Sequence, residues 1–168
     1  RIPCTGFVFR ESLALRGLRR DRSAVIPHFK RQAVKQGEDL VLPDGTVHSN
    51  ASLTTAPPPV RSYAYCSDTA FEPELVPYIA GVDLLYHEAT FTEMLATRAK
   101  ETLHSTAAQA ARIASMAGVG ELLLGHFSSR YKHVNELLAE ARAIFPATRA
   151  SEEGQVYPIP ERTGVENL

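Results

Sequence analysis

The chain has 168 residues, 44% of them hydrophobic and 22% charged, with a formal net charge of −1. That composition suits one ordinary soluble domain, long enough to bury about two-thirds of its unfolded surface without disulfide staples. Its two thiols, Cys4 and Cys66, have no regular spacing and fit a reducing cytoplasm, and no apolar run approaches the roughly 20 residues that a membrane span requires.

Residues 2–9 are β-rich and read as a strand; the start, Arg1-Ile-Pro-Cys-Thr-Gly-Phe-Val-Phe, lacks an initiator methionine and suggests part of a longer protein. Residues 11–36 are polar and basic, with a short helix expected around Ser12–Arg20. "EDLVLPDGTVHSN" reads as a hairpin, Asp39–Leu42 turning at Pro43-Asp44-Gly45 into Thr46–Ser49. "TTAPPPV" is a stiff extended connector, because consecutive prolines block helix.

From there the pattern becomes regular. A strand over residues 60–67 precedes a short or kinked helix at Glu72–Ala80, with Pro73 in its first turn. Val82–His87 reads as a strand and Thr92–Lys100 as a helix. An alanine-rich helix covers Ser105–Met116, capped by Ser105 or Thr106 and stopped by Gly118. Glu121–Leu124 is a strand, His133–Ile144 a helix and Gly154–Ile159 a last short strand. This alternation predicts an α/β layer structure.

Charge is unevenly spread. Residues 10–35 carry eight cations against Glu11 and Asp21, whereas residues 51–168 hold nine bases against fourteen acids. A basic stretch on an acidic body reads as a polyanion-docking surface or as a solvated arginine-rich segment.

In such sheets functional groups gather where strands give way to loops. The strand at 60–67 delivers Asp68, the strand at 82–86 delivers His87 and Glu88, and the strand at 121–125 delivers His126. His104 stands just before the alanine-rich helix. Taken singly, Asp68 suits a turn cap, His126 a strand-end core histidine and His104 a helix-start neighbour. Together, three imidazoles and two carboxylates permit metal-assisted hydrolysis, since imidazole and carboxylate are the usual zinc ligands outside thiolate sites.

In succession, "YCSDTAF", "LLYHEATF", "LHSTAAQAARIA" and "LLLGHFSSRY" resemble ribonuclease Z, the endonuclease family that matures the 3′ ends of transfer RNA. The resemblance runs from the first residues to about Pro160. It implies the metallo-β-lactamase fold, an αββα sandwich with two zinc ions at one edge, of which this chain supplies the carboxy-terminal half. All 168 residues then belong to one such domain, with residues 11–46 as a basic arm that grips transfer RNA.

Residue by residue, the resemblance makes Asp68 the carboxylate bridging both zinc ions and His126 a ligand of the second. His104 resembles the histidine that protonates the leaving 3′ oxygen, and Glu88 the glutamate that orients it. His87 reads as a structural hydrogen-bonding residue, and His28, His48 and His133 as surface residues. Arg130 and Tyr131 are candidates for an RNA phosphate and a base face. Arg16, Arg19, Arg20, Arg22, Lys30 and Arg31 supply the arm's salt-dependent phosphate contacts. The arm lacks the glycine-proline-rich tip usual in the family.

The family's HxHxDH segment is absent from this sequence, and a further ligand histidine precedes a segment like "RIPCTGFVF" in the family. With only Asp68 and His126 remaining as ligands, the chain alone is expected to bind zinc weakly and cut nothing. The parent protein is expected to cleave precursor transfer RNA as a cytoplasmic homodimer without membrane attachment. Half a sandwich should also expose one sheet face. The alternatives are another phosphodiesterase or arylsulfatase of the same fold, and a non-catalytic transfer-RNA-binding module.

Overall fold

The computed structural model describes residues 4–159. Among these residues regular structure begins with strand β1 (Phe7–Arg10). Within the described residues one compact unit combines the segment ending at Glu11 with that from Arg61 onward, and a second comprises Ser12–Val60.

The Ser12–Val60 unit is built from very short elements. Strand β2 (Gly17–Leu18) leads into a 3-10 turn at Arg20–Val25 and, after another at His28–Lys30, into helix α1 (Arg31–Lys35). Strands β3 (Leu40–Val41) and β4 (Val47–His48) form the expected hairpin, followed by helix α2 (Asn50–Leu53) and strand β5 (Thr54–Thr55). The helix expected at Ser12–Arg20 is absent: β2 pairs antiparallel with β5 instead. Gly17 suits that pairing, because an added Cβ would lie 2.6 Å from Thr55 Oγ1. Ile26, Val34, Leu40 and Leu53 form a small buried core. Around it, Asn50 Nδ2 donates to the carbonyls of Val34 (2.6 Å) and Glu38 (2.9 Å), and its backbone N–H donates to Asp39 Oδ1 (2.6 Å).

The other unit is a five-stranded sheet backed by helices. Strand β6 (Ser62–Cys66) pairs antiparallel with β1. A 3-10 turn at Pro73–Leu75 and the single turn α3 (Val76–Ile79) replace the longer helix that Pro77 forbids. Strand β7 (Leu84–Glu88), helix α4 (Ala96–Thr102), helix α5 (Ala107–Ala117), strand β8 (Glu121–Gly125), helix α6 (Asn135–Ile144) and strand β9 (Thr148–Ala150) complete it. The order is β1-β6-β7-β8-β9, with β6 through β9 parallel.

Helix α5 follows directly from its sequence. Thr106 and Gln109 form a reciprocal capping box, and Gly118 (φ 59°) closes the far end in the left-handed region that glycine adopts freely. Its alanines and Ile113 are buried with Ala64, Cys66, Leu85, Leu122 and Leu124, so one sheet face is covered by small side chains. The alternating positions on the other face carry Phe7, Phe9, Tyr63, Tyr65 and Tyr86. There Phe9 stacks on Tyr63 and Tyr65 on Tyr86, while Phe7 and Phe9 are more than half exposed.

One expected element is misplaced. Residues 154–159 form no strand; Gly154 turns left-handed (φ 78°) and Pro158 removes a backbone donor. Among the described residues the last strand is β9, three residues long with an arginine at its centre and thus little apolar signal. Arg149 is held there by Glu121 of the neighbouring strand.

Candidate functional site

Because β6, β7 and β8 are parallel, their carboxyl ends open on one edge of the sheet, and there the predicted residues converge. Asp68 leaves β6 with φ 52° and His126 leaves β8 with φ 56°. Leu103, before His104, has φ 60°. Each of these left-handed residues bears a side chain, a conformation that costs on the order of 1–3 kcal/mol and clusters at functional sites.

Asp68, His104 and His126 each present a potential ligand atom within 4.8 Å of the others. His126 Nε2 lies 3.1 Å from Asp68 Oδ1, and the His104 and His126 rings stack with centroids 5.3 Å apart. The side chains of Asp68 and His126 are both about two-fifths exposed, so this edge is open to a ligand.

Glu88, the last residue of β7, is fully buried, which requires its carboxylate to be satisfied by donors. His104 Nδ1 donates to Oε1 at 2.7 Å. Ser105 N–H donates to Oε2 at 3.1 Å, and the Thr90 hydroxyl lies 2.6 Å from the same oxygen. With Nδ1 committed, Nε2 is the His104 atom left for chemistry. The Thr90 hydroxyl also lies 3.0 Å from the His126 carbonyl, and Ser105 Oγ donates to the Thr69 carbonyl at 2.8 Å. Glu88, Thr90 and Ser105 therefore tie the three strand exits into one hydrogen-bonded frame.

The sequence by itself does not place Thr90 in the site, and it marks Ser105 only as a candidate helix cap. Their signal was present in "HEAT" and "HST", each of which places a hydroxyl beside a titratable residue.

His87 points to the helix-covered face, fully buried, its Nδ1 donating to the Glu88 carbonyl at 2.8 Å. Burial holds its pKa below the ordinary imidazole value, partly opposed by Glu88, and Nε2 has no hydrogen-bond partner among the described residues. His28 and His133 are exposed and His48 is half-buried. Arg130 is exposed, its guanidinium 4.9 Å over the Phe91 ring and its Nε donating to Ser128 Oγ. Tyr131 is committed differently: its hydroxyl accepts the Thr92 N–H at 3.0 Å and its ring packs on the core.

The remaining candidate cations lie in the Ser12–Val60 unit. Arg16 donates to Thr54 Oγ1 at 2.7 Å, Arg19 and Arg22 flank Asp21, and Arg31 donates to the Ser23 carbonyl. Arg20 and Lys30 are exposed.

One carboxylate oxygen and two imidazole nitrogens are a donor set suited to zinc or a similar first-row ion. With Nδ1 held by Glu88, Nε2 is the His104 nitrogen available to that set.

No family model matches the sequence. The chain is 51% identical over 155 residues to a ribonuclease Z of Bacteroides fragilis, covering 91% of this chain and 51% of that protein. It is 41% identical over 169 residues to the ribonuclease Z of Cytophaga hutchinsonii, covering 99% of this chain and 54% of the relative. The chain thus spans about half the length of the curated relatives it matches. Among solved structures, the metallo-β-lactamase fold protein YhfI of Bacillus subtilis superposes with a TM-score of 0.54 at 27% identity, over 58% of this chain and 40% of that one. The chain is a homologue of ribonuclease Z and shares the metallo-β-lactamase fold.

Proposed function

We propose that the protein carrying this chain is a zinc-dependent endoribonuclease that removes the 3′ trailer from precursor transfer RNA. The supporting observation is the Glu88–His104 pair set beside Asp68 and His126: a buried carboxylate orienting an imidazole next to a candidate metal site.

In this reading Asp68 and His126 would hold metal through a carboxylate oxygen and an imidazole nitrogen. Bound metal would neutralise charge on the phosphate and make water acidic enough to attack near neutral pH. His104 carries the proton at Nε2 and delivers it to the departing 3′ oxygen. Glu88 holds the ring through Nδ1 and balances the imidazolium charge. The products are a transfer RNA with a 3′-hydroxyl and a trailer with a 5′-phosphate. The exposed Arg20 and Lys30, with Arg16, Arg19, Arg22 and Arg31, would meet the RNA backbone as the arm, and Arg130 would meet phosphate beside the site. We place the activity in the cytoplasm, in a homodimer; among the described residues no helix is long and apolar enough to cross a membrane.

The test is cleavage of a precursor transfer RNA by the gene product that carries this chain. Cleavage at the trailer junction that vanishes on chelation and returns with zinc is the expected result. Equal turnover of small phosphodiesters and precursor RNA would instead favour a general phosphodiesterase. The 168-residue chain by itself should show near-zero zinc occupancy by native mass spectrometry at micromolar free zinc; two tightly held ions would overturn the assignment of a partial site.

A further inference from the structure

Beside His104 lies a cleft of about 480 Å³, lined by Ala70, Phe71, Ala96, Thr97, Lys100, His104 and Gln109. That volume falls within the roughly 300–1,000 Å³ in which small ligands bind. Its walls combine three kinds of surface. Ala70 and Ala96 leave apolar space. Phe71 is 36% exposed and stacks on no other ring among the described residues. Lys100 is exposed and makes no ion pair among the described residues, while its neighbours Arg98 and Glu101 pair with each other. Ala96, Thr97 and Lys100 sit at i, i+1 and i+4 on α4, so one stripe of that helix forms the wall.

An exposed aromatic ring, a free ammonium and a proton-carrying imidazole around an apolar hollow match the parts of one nucleotide. We infer that this cleft binds the nucleotide next to the scissile phosphate, its base on Phe71 and its phosphate on Lys100. Stacking on Phe71 tolerates any base, so the cleft sets position rather than sequence. The inference rests on the nuclease reading for the identity of its ligand, but the cleft lies within a single unit of the chain and can be probed without cleavage.

The experiment titrates adenosine 5′-monophosphate into the isotope-labelled chain and follows backbone amide shifts. Binding should shift the amides of residues 70, 71, 97 and 100. Phe71→Ala should weaken it about tenfold, Lys100→Ala should flatten its salt dependence, and Ala96→Leu should abolish it by filling the hollow. Arg98→Ala, on the same helix but outside the cleft, should leave affinity unchanged. Shifts confined elsewhere, or an affinity indifferent to both Phe71→Ala and Ala96→Leu, would overturn the inference. Binding that obeys these variants while the gene product fails to cleave precursor RNA would sink the nuclease reading and leave the cleft standing.

Discussion

The two compact units hold themselves together by different means. The helix-backed sheet buries a continuous core of alanine, leucine, isoleucine and valine, and its polar network at the strand exits sits on that rigid base. The Ser12–Val60 unit has only four fully buried apolar side chains and leans on side-chain-to-backbone bonds such as those of Asn50. Dense apolar packing permits strained left-handed residues at Asp68, Leu103 and His126, because the surrounding structure over-determines them. A small polar-tied unit has no such reserve. Its exposed cations suit a surface that adapts to a partner rather than one that fixes reacting atoms.

Substitutions can break or sharpen that contrast. Glu88→Gln in the gene product should reduce precursor cleavage by roughly 10²–10⁴-fold and distort its pH profile, since His104 loses the carboxylate that fixes its tautomer; an unchanged profile would show that Glu88 serves stability alone. Leu122→Ala, in the middle of β8 and fully buried, should cost about 2–5 kcal/mol by chemical denaturation. Hydrogen exchange should assign that loss to the sheet and spare the Ser12–Val60 amides; loss of protection in both units at once would erase the distinction between them. Asn50→Ala should cost about 1–3 kcal/mol, read as faster amide exchange within Ser12–Val60 only, because it strips partners from the Val34 and Glu38 carbonyls.

A smaller effect tests the core through pH. The His87 pKa is lowered in the folded chain by burial, so the unfolded chain binds the proton more readily. Stability is therefore fully present above the unfolded value of about 6.5 and falls as pH drops below it. Glu88 and Cys66 are the titratable residues beside the ring: Glu88 is its chain neighbour and Cys66 its partner on β6. Burial raises the Cys66 thiol to about 11, so it stays neutral throughout this window. His87→Leu should flatten the slope of stability between pH 5 and 6.5, measured by urea melts; an unaltered slope would place the titration elsewhere. Smallest of all, Arg20→Ala and Lys30→Ala should change stability by less than about 0.5 kcal/mol while each lowering the salt dependence of RNA binding.

Much of the helix-backed sheet was legible in advance because its signals are local. Period-2 and continuous apolar runs marked β6, β7 and β8, Ser105 or Thr106 and Gly118 bounded α5, and Pro77 shortened α3. The Ser12–Val60 unit was legible only at the β3–β4 hairpin, where Asp44-Gly45 announces the turn. Residues 12–20 read as helix, but Gly17–Leu18 is a strand and a 3-10 turn starts at Arg20; the partner strand at Thr54–Thr55 lies far along the chain and no local pattern encodes it. The last strand was misjudged for a similar reason: Thr148–Ala150 is held by pairing to β8 rather than by its own propensity.

By itself, the sequence determined the strand–helix alternation from residue 60 to Ile144, and with it the strand ends and loops that carry Asp68, Glu88, His104 and His126. Only the tertiary structure decided that these four meet, because parallel register alone brings the ends of β6, β7 and β8 to one edge. It also decided the parts played by Thr90 and Ser105, whose hydroxyls bridge segments far apart in the chain. Local propensity can mark where a strand ends; only packing over long sequence separations decides what stands opposite it.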